Sequence, residues 1–275
     1  MNSKLLPRNI YQNYIKNNIS RAEVITLLGS YIENSHNLDL RLESLNFLNK
    51  LEEKTKSIFK ILETCLISDE NEELRVIAME ALFRNYQNES FESLKWTILN
   101  DKSSLVLQAI KNIIEKGEIK HSEDFKKIFN ERFQKIAKNY NITIQEVPVL
   151  IDLRFNLVKS IYSDFIYDNY SICVIRNNYI RELSLSFKSS LPESIGSLKK
   201  LETLDLRCNN LSSLPESLSH LKKLRYLNLS WNNFTHIPKF LTKMDSLEFL
   251  DLSNNNIKNI PESIKKLKRL KTLFY

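Results

Sequence analysis

Residues 201–215 read LETLDLRCNNLSSLP, residues 224–238 read LRYLNLSWNNFTHIP and residues 247–261 read LEFLDLSNNNIKNIP. They share the frame L-x-x-L-x-L-x-x-N-x-L-x-x-L-P, with Phe234, Ile237, Ile257 and Ile260 standing in for leucine, and Leu204, Leu227, Leu250 and Leu273 recur at intervals of 23. The centre of each copy, x-L-x-L-x, predicts a short strand with leucines inward and the intervening residues outward, because side chains alternate with period two. Asn209, Asn232 and Asn255 end these strands, where an amide can bond the backbone of the next turn and one per coil makes a ladder. A lone copy holds too few apolar groups to offset the entropy of ordering it, so the copies must stack.

This frame resembles the leucine-rich repeat, which implies a parallel concave sheet and a surface that holds another macromolecule. The outward positions fall into columns: Glu182, Thr203, Tyr226, Phe249 and Thr272; Ser184, Asp205, Asn228, Asp251 and Phe274; Ser186, Arg207, Ser230 and Ser253. Trp231 follows its strand at the place held by Cys208 and Asn254 in the neighbouring copies. Tyr226, Phe249 and Trp231 are bulky aromatics at positions expected to face water, the kind of anchor that dominates interface energetics. Asp205, Asp251 and Arg207 would orient a partner. The expected partner-binding set is therefore Thr203, Asp205, Arg207, Tyr226, Asn228, Trp231, Phe249 and Asp251. The competing reading makes the aromatics a cross-strand pair or packs them against the helical half.

The first half reads as helices. Ser20-x-x-Glu23 is a capping box opening a helix with Val24, Leu27, Leu28, Tyr31 and Ile32 on one face. Leu38, Leu42, Leu45 and Leu48 continue the period after Asn37, and Ile58, Phe59, Leu62, Cys65 and Leu66 mark the next helix. Asp69-x-x-Glu72 is expected to cap another, through Leu74, Ile77, Ala78, Ala81 and Leu82; Phe91, Leu94 and Ile98 follow. Ser103 opens a stretch that Gly117 can close, and Ser122 begins a helix ending near Asn141. Leu40-Arg41-Leu42-x-Ser44-x-x-Phe47-Leu48 aligns with Leu74-Arg75-Val76-x-Ala78-x-x-Ala81-Leu82 at an offset of 34, and a third unit puts Val106 where the arginine should be. Small residues at Ser44, Ala78 and Ala109 would let paired helices approach closely. Over about residues 35–140 this resembles HEAT repeats, the alternative being an irregular helical bundle.

Between the halves, Thr143-x-x-Glu146 reads as a further capping box, with Pro148 expected to strain any helix starting there. Tyr170 to Ile175 and Tyr179 to Leu185 predict a hairpin turning at Asn177-Asn178, where asparagine tolerates left-handed backbone. Its second strand is a degenerate first repeat, with Ile180, Leu183 and Leu185 in place, no ladder asparagine and a coil two residues short. Such a hairpin would cover the apolar end of the stack. The expected organisation is an α+β, two-part solenoid: HEAT-like helical repeats over 1–140, a junction and hairpin cap over 141–180, and leucine-rich repeats over 181–275. The last half-coil, with Phe274 and Tyr275, is expected either to seal the stack or to form a homodimer.

Composition narrows the function. Only 3 glycines occur, at Gly29, Gly117 and Gly196, so no glycine-rich phosphate loop can form. Cys65, Cys173 and Cys208 are odd in number and widely separated, unlike disulfide or zinc frameworks. His36, His121, His220 and His236 have no metal-ligand spacing, and no nucleophile stands in an elbow motif, so neither enzyme activity, metal, cofactor nor small-molecule substrate is expected. The opening lacks a signal-peptide core and no long apolar run occurs, which points to a soluble, cytoplasmic protein. Net charge is +7, all of it in residues 151–275, which carry 19 Lys+Arg against 12 Asp+Glu. Lys199-Lys200, Lys222-Lys223, Lys265-Lys266, Lys268, Arg269 and Lys271 gather on the convex back; a solvated face is the bland reading, an anionic membrane or nucleic acid the functional one. No aromatic interleaving of the nucleic-acid type accompanies these lysines.

The expected function is a non-enzymatic scaffold or adaptor that binds a protein partner. The wording L-P-E-S-I-x-x-L-K-x-L is similar to the repeats of intracellular Ras-associated scaffold proteins, which implies a small GTPase, or a kinase or phosphatase near one, as partner class. The alternative is a GTPase-activating regulator, with Arg207 as the arginine delivered to the partner's phosphates.

Overall fold

A computed structural model describes residues 6–51, 54–117, 120–155, 165–168 and 171–275. The chain forms two compact units, Met1–Asn130 and Glu131–Tyr275.

The first unit is helical: α1 (Pro7–Ile15), α2 (Arg21–Asn34), α3 (Leu38–Asn49), α4 (Lys56–Ser68), α5 (Glu72–Asn85), α6 (Phe91–Asn100), α7 (Ser104–Lys116) and the first part of α8 (Ser122–Tyr140). Their ends obey local chemistry. The Glu23 amide donates to Ser20 Oγ while Glu23 Oε2 accepts from the Ser20 amide at 2.7 Å, completing the capping box of α2. Asn37, Thr55, Asn71 and Ser103 each accept an N–H of the first turn of α3, α4, α5 and α7. Gly117 closes α7 in the left-handed conformation, φ 72°.

One expected cap is corrected. Asp69 is not the N-cap of α5; Asn71 is, its side chain accepting the Leu74 amide at 3.0 Å. Asp69 instead accepts the Asn71 amide and an ion pair from Arg41. The same arrangement recurs one step on, where Arg75 grips Asp101 at 2.9 and 3.0 Å and Asp101 accepts the Ser103 amide. Each pair joins the start of one inner helix to the loop before the next. Val106, which stands where a third arginine would, is fully buried. Helices α2 and α3, and α4 and α5, pack as pairs; α2, α4 and α6 touch in one row and α3, α5 and α7 in another. Ser44 and Ala78 have no exposed surface, and Ser44 satisfies its hydroxyl on the Leu40 carbonyl.

Among its described residues the second unit contains the end of α8, a 3-10 turn at Ile144–Glu146, α9 (Val147–Asp152) and one sheet of seven strands: β1 (Phe165–Asp168), β2 (Ser171–Arg176), β3 (Tyr179–Ser184), β4 (Thr203–Asp205), β5 (Tyr226–Asn228), β6 (Phe249–Asp251) and β7 (Thr272–Phe274). Strands β1 to β3 are antiparallel and β3 to β7 parallel, in chain order. The register follows the sequence repeat, Leu183↔Leu204↔Leu227↔Leu250↔Leu273. Leu201, Leu204, Leu206, Leu224, Leu227, Leu247 and Leu250 have no exposed surface, and a 3-10 turn at the back of each coil adds Ile195, Leu218, Leu241 and Ile264 to the same core. Successive backs approach closely: a Cβ on Gly196 would lie 2.6 Å from the Ser217 carbonyl oxygen.

The ladder asparagines bond their own turn and the coil before, not the coil after. Asn232 Nδ2 donates to the carbonyls of Leu206, Leu229 and Ser230, and its Oδ1 accepts the Leu211 amide at 2.9 Å. Asn209 and Asn255 repeat the pattern on Leu185 and Leu229. Lys188, in the ladder place of the first coil, sends its ammonium to the Leu153 carbonyl at the end of α9.

Hairpin β2–β3 turns at Asn177 and Asn178, φ 53° and 65°. The Thr143-x-x-Glu146 capping box is a second correction: the Thr143 side chain makes no cap bond, and Glu146 Oε2 accepts the Ile180 amide from β3 at 2.9 Å. Nor does Pro148 strain its helix, because α9 starts at Val147 and Pro148 lies in the first turn, where no amide is needed.

Candidate functional site on the outer face of the sheet

Outward side chains of β3 to β7 line up because the parallel register is unbroken. The Tyr226 ring lies flat on that of Phe249, centroids 4.3 Å apart and planes at 8°, and Phe274 meets Phe249 edge-on at 5.9 Å. Tyr226 and Phe249 are half-buried, by each other; Phe274 and Tyr275 are exposed. Thr203 extends the same column, half-buried.

Beside this row, Asp205, Asn228 and Asp251 turn their oxygens back to the chain. Asp205 accepts the Arg207 amide; Asn228 and Asp251 each accept both the amide and the hydroxyl of the serine two residues on, Ser230 and Ser253. These Asx turns steer the backbone out of the strand. Asn228 is consequently only 5% exposed, whereas Asp205 and Asp251 keep half-buried faces. The Arg207 guanidinium is exposed and rests on Asp205 at 3.1 Å.

A rim follows. Phe187, Cys208, Trp231 and Asn254 occupy equivalent places in successive coils, all exposed and all with left-handed backbone, φ 58°, 54°, 56° and 55°. That conformation is uncommon for bulky residues. It holds Trp231, 61% exposed, and Phe187, 79% exposed, away from the core. Phe187 lay outside the sequence-derived set; its shortened coil hid its equivalence to Trp231.

Also missed was a charge ladder of Arg181, within β3, and Glu202, Arg225, Glu248 and Lys271, each at the position before its strand. Arg181 meets Glu202 at 2.6 Å, Arg225 meets Glu248 at 3.5 Å and Lys271 meets Glu248 at 2.7 Å. The hydrogen bond from Lys271 holds the Glu248 carboxyl below its ordinary range. From Glu202 onward the alternation was readable at the 23-residue spacing, which brings these side chains side by side; Arg181 stands 21 residues before Glu202, in the shortened coil.

At the hairpin end, Glu146 is 2% exposed, and its second oxygen, Oε1, has no hydrogen-bond partner. Burial pushes its pKa up to about 7, against the opposing pull of the Ile180 amide and Arg181. Cys65 and Cys173 are buried and their thiols pushed up by burial, the former to about 12; Cys208 is exposed. Among the described residues no three His, Cys, Asp or Glu side chains converge to hold a metal, and no helix is long and apolar enough to cross a membrane.

A parallel sheet of short strands, a leucine core and an asparagine ladder together define the leucine-rich repeat architecture. Family models agree: one described as a leucine rich repeat matches residues 174–234 and one described as a leucine-rich repeat region matches residues 217–275. Residues 174–275 thus match models of the leucine-rich repeat, a type of module that generally mediates protein–protein interaction and is typically non-enzymatic. Among solved structures, a leucine-rich repeat protein of Leptospira interrogans is similar at 40% identity over 33% of this chain and 24% of its own, with a TM-score of 0.32. The leucine-rich repeat ectodomain of the receptor kinase SOBIR1 from Arabidopsis thaliana shares 37% identity over 34% of this chain and 54% of its own, TM-score 0.31. The plant peptide hormone receptor RGFR1, solved in complex with RGF2, shares 30% over 33% of this chain and 15% of its own, TM-score 0.29. The chain therefore spans less than two thirds of each of these structures. No curated protein matches.

Proposed function

We propose that the chain is a binding module without a reaction of its own, and that a protein partner docks on the outer face of the sheet. One observation carries the reading: an aromatic row of Tyr226, Phe249 and Phe274 lies on the solvent side of strands whose other side is already filled with leucine. Trp231 and Phe187 stand above it on the rim, and Arg207, Asp205 and Asp251 border it. Such aromatic groups bury much area at little entropic cost when a partner covers them. Thr203 and Asn228 then contribute to shape and turn geometry more than to contact area. On this reading the helical unit is a HEAT-like solenoid, supported by its two rows of helices and the repeated arginine–aspartate link.

The test compares wild type with a Tyr226→Ala/Phe249→Ala/Trp231→Ala variant in affinity capture from the native lysate. Any protein retained by wild type should be lost by the variant, while a variant with charge reversals on the back retains it. Retention by the triple variant, with its fold intact by circular dichroism, contradicts the reading.

A further inference from the structure

The turn that leads from the back of each coil into its strand carries two adjacent long cations in most coils: Lys199-Lys200, Lys222-Lys223 and Lys268-Arg269. The coil between the last two has Asp245-Ser246 at the same place. Short side chains there leave a dip between long ones. The dip is a cavity of about 260 Å³ lined by Ser219, Leu221, Lys222, Lys243, Met244, Asp245, Ser246 and Arg269. Leu221 and Met244 are buried and form an apolar floor, Ser219 and Ser246 are half-buried, and Lys222, Lys243, Asp245 and Arg269 are exposed.

Three successive coils thus each deliver one cation to a single concavity lined by one carboxylate, Asp245, with Glu248 near enough to Arg269 to feel its charge. A guanidinium can take two oxygens of one tetrahedral anion, and ammonium groups and hydroxyls can serve the others. A carboxylate ligand offers too few oxygens for this donor set, whereas a phosphoryl group carries about −1.5 to −2 charge and three free acceptors. The excess of 19 basic over 12 acidic residues in 151–275 draws such anions to this half of the chain. We propose that the Lys222–Lys243–Arg269 cavity is a binding site for a phosphoryl anion, free or borne on a lipid headgroup. It lies on the back of the coils and is independent of the protein-binding role of the sheet.

The test titrates the full chain with sodium pyrophosphate by calorimetry, and in parallel sediments it with vesicles of phosphatidic acid in phosphatidylcholine or of phosphatidylcholine alone. Saturable pyrophosphate binding is expected, weakened by about tenfold or more in Lys222→Ser/Lys243→Ser/Arg269→Ser and tightened by about threefold in Asp245→Asn, since these remove attraction and repulsion respectively at short range. A control removing three exposed lysines elsewhere, Lys102→Ser/Lys239→Ser/Lys258→Ser, should change affinity by less than about twofold. Co-sedimentation with phosphatidic acid that follows the same variants assigns the phosphoryl source to lipid; pyrophosphate binding without it assigns a free anion. The proposal is overturned if neither probe binds, if the control weakens binding as much as the cavity variant, or if Asp245→Asn leaves affinity unchanged.

Discussion

Asn232 shows how much one side chain can carry. It is 6% exposed and makes four bonds, three to carbonyls and one from an amide, across two coils. Asn232→Ala leaves the Leu211 amide without its acceptor and takes one of two donors from the carbonyls of Leu206, Leu229 and Ser230, which keep Asn209, Asn255 and the Cys208 amide; an unsatisfied buried polar group costs about 1–3 kcal/mol. Chemical denaturation should show a loss of about 2 kcal/mol, larger than for Asn255→Ala, whose environment is more open. The asparagine ladder was legible in the sequence as a recurrence; its direction, toward the preceding coil, was not, because spacing alone does not say which neighbour an amide faces. Gly196 was unreadable for the same reason. Nothing in its neighbours reveals that the Ser217 carbonyl lies where a Cβ would go, yet Gly196→Ala should lower the thermal midpoint more than a surface substitution does. In the folded protein a maleimide should label Cys208 quickly and Cys65 and Cys173 only on unfolding.

At the scale of elements, the strands and most helix starts followed from local pattern, whereas Asp69 and Glu146 did not. Both sit at plausible capping positions. Asp69 is spent on the Asn71 amide and on Arg41 while Asn71 caps α5, and the Ile180 amide takes Glu146. Sequence spacing shows neither the distant partners nor which of two neighbouring acceptors caps the helix. The arginine–aspartate links are partly buried, with Arg75 and Asp101 side chains 13% and 6% exposed. Removing one partner strands the other, so Asp101→Ala should cost about 3 kcal/mol and speed amide exchange at the start of α7. Glu146 gives a pH dependence. Its folded pKa, about 7, lies above the ordinary 4.5, so the native state holds a proton that the unfolded chain has lost between those values. The unfolded state binds fewer protons there, and stability falls as pH rises through that window. The thermal midpoint of the chain should decline from about pH 4.5 to about 7 and level off above; Glu146→Gln should flatten that slope, and an unchanged slope would place the titration elsewhere.

For the whole molecule, fold and function were legible to different depths. A 23-residue leucine period fixes coils, inward faces and parallel register in one stroke, because stacking leaves no other way to bury the apolar side. The outward columns follow from period two. What spacing could not give was the state of each outward group: Asn228 spent on its own turn, Arg207 resting on Asp205, Trp231 thrown outward by a left-handed residue. These depend on backbone turns between the repeats' fixed positions. The proposal that a partner covers the aromatic row can be tested directly by placing a photoreactive benzoylphenylalanine at position 249 on the sheet, or at position 223 on the back, and irradiating in native lysate. A discrete crosslinked protein from position 249, absent from position 223, is the predicted result; crosslinks from position 223 with none from position 249 would contradict the account.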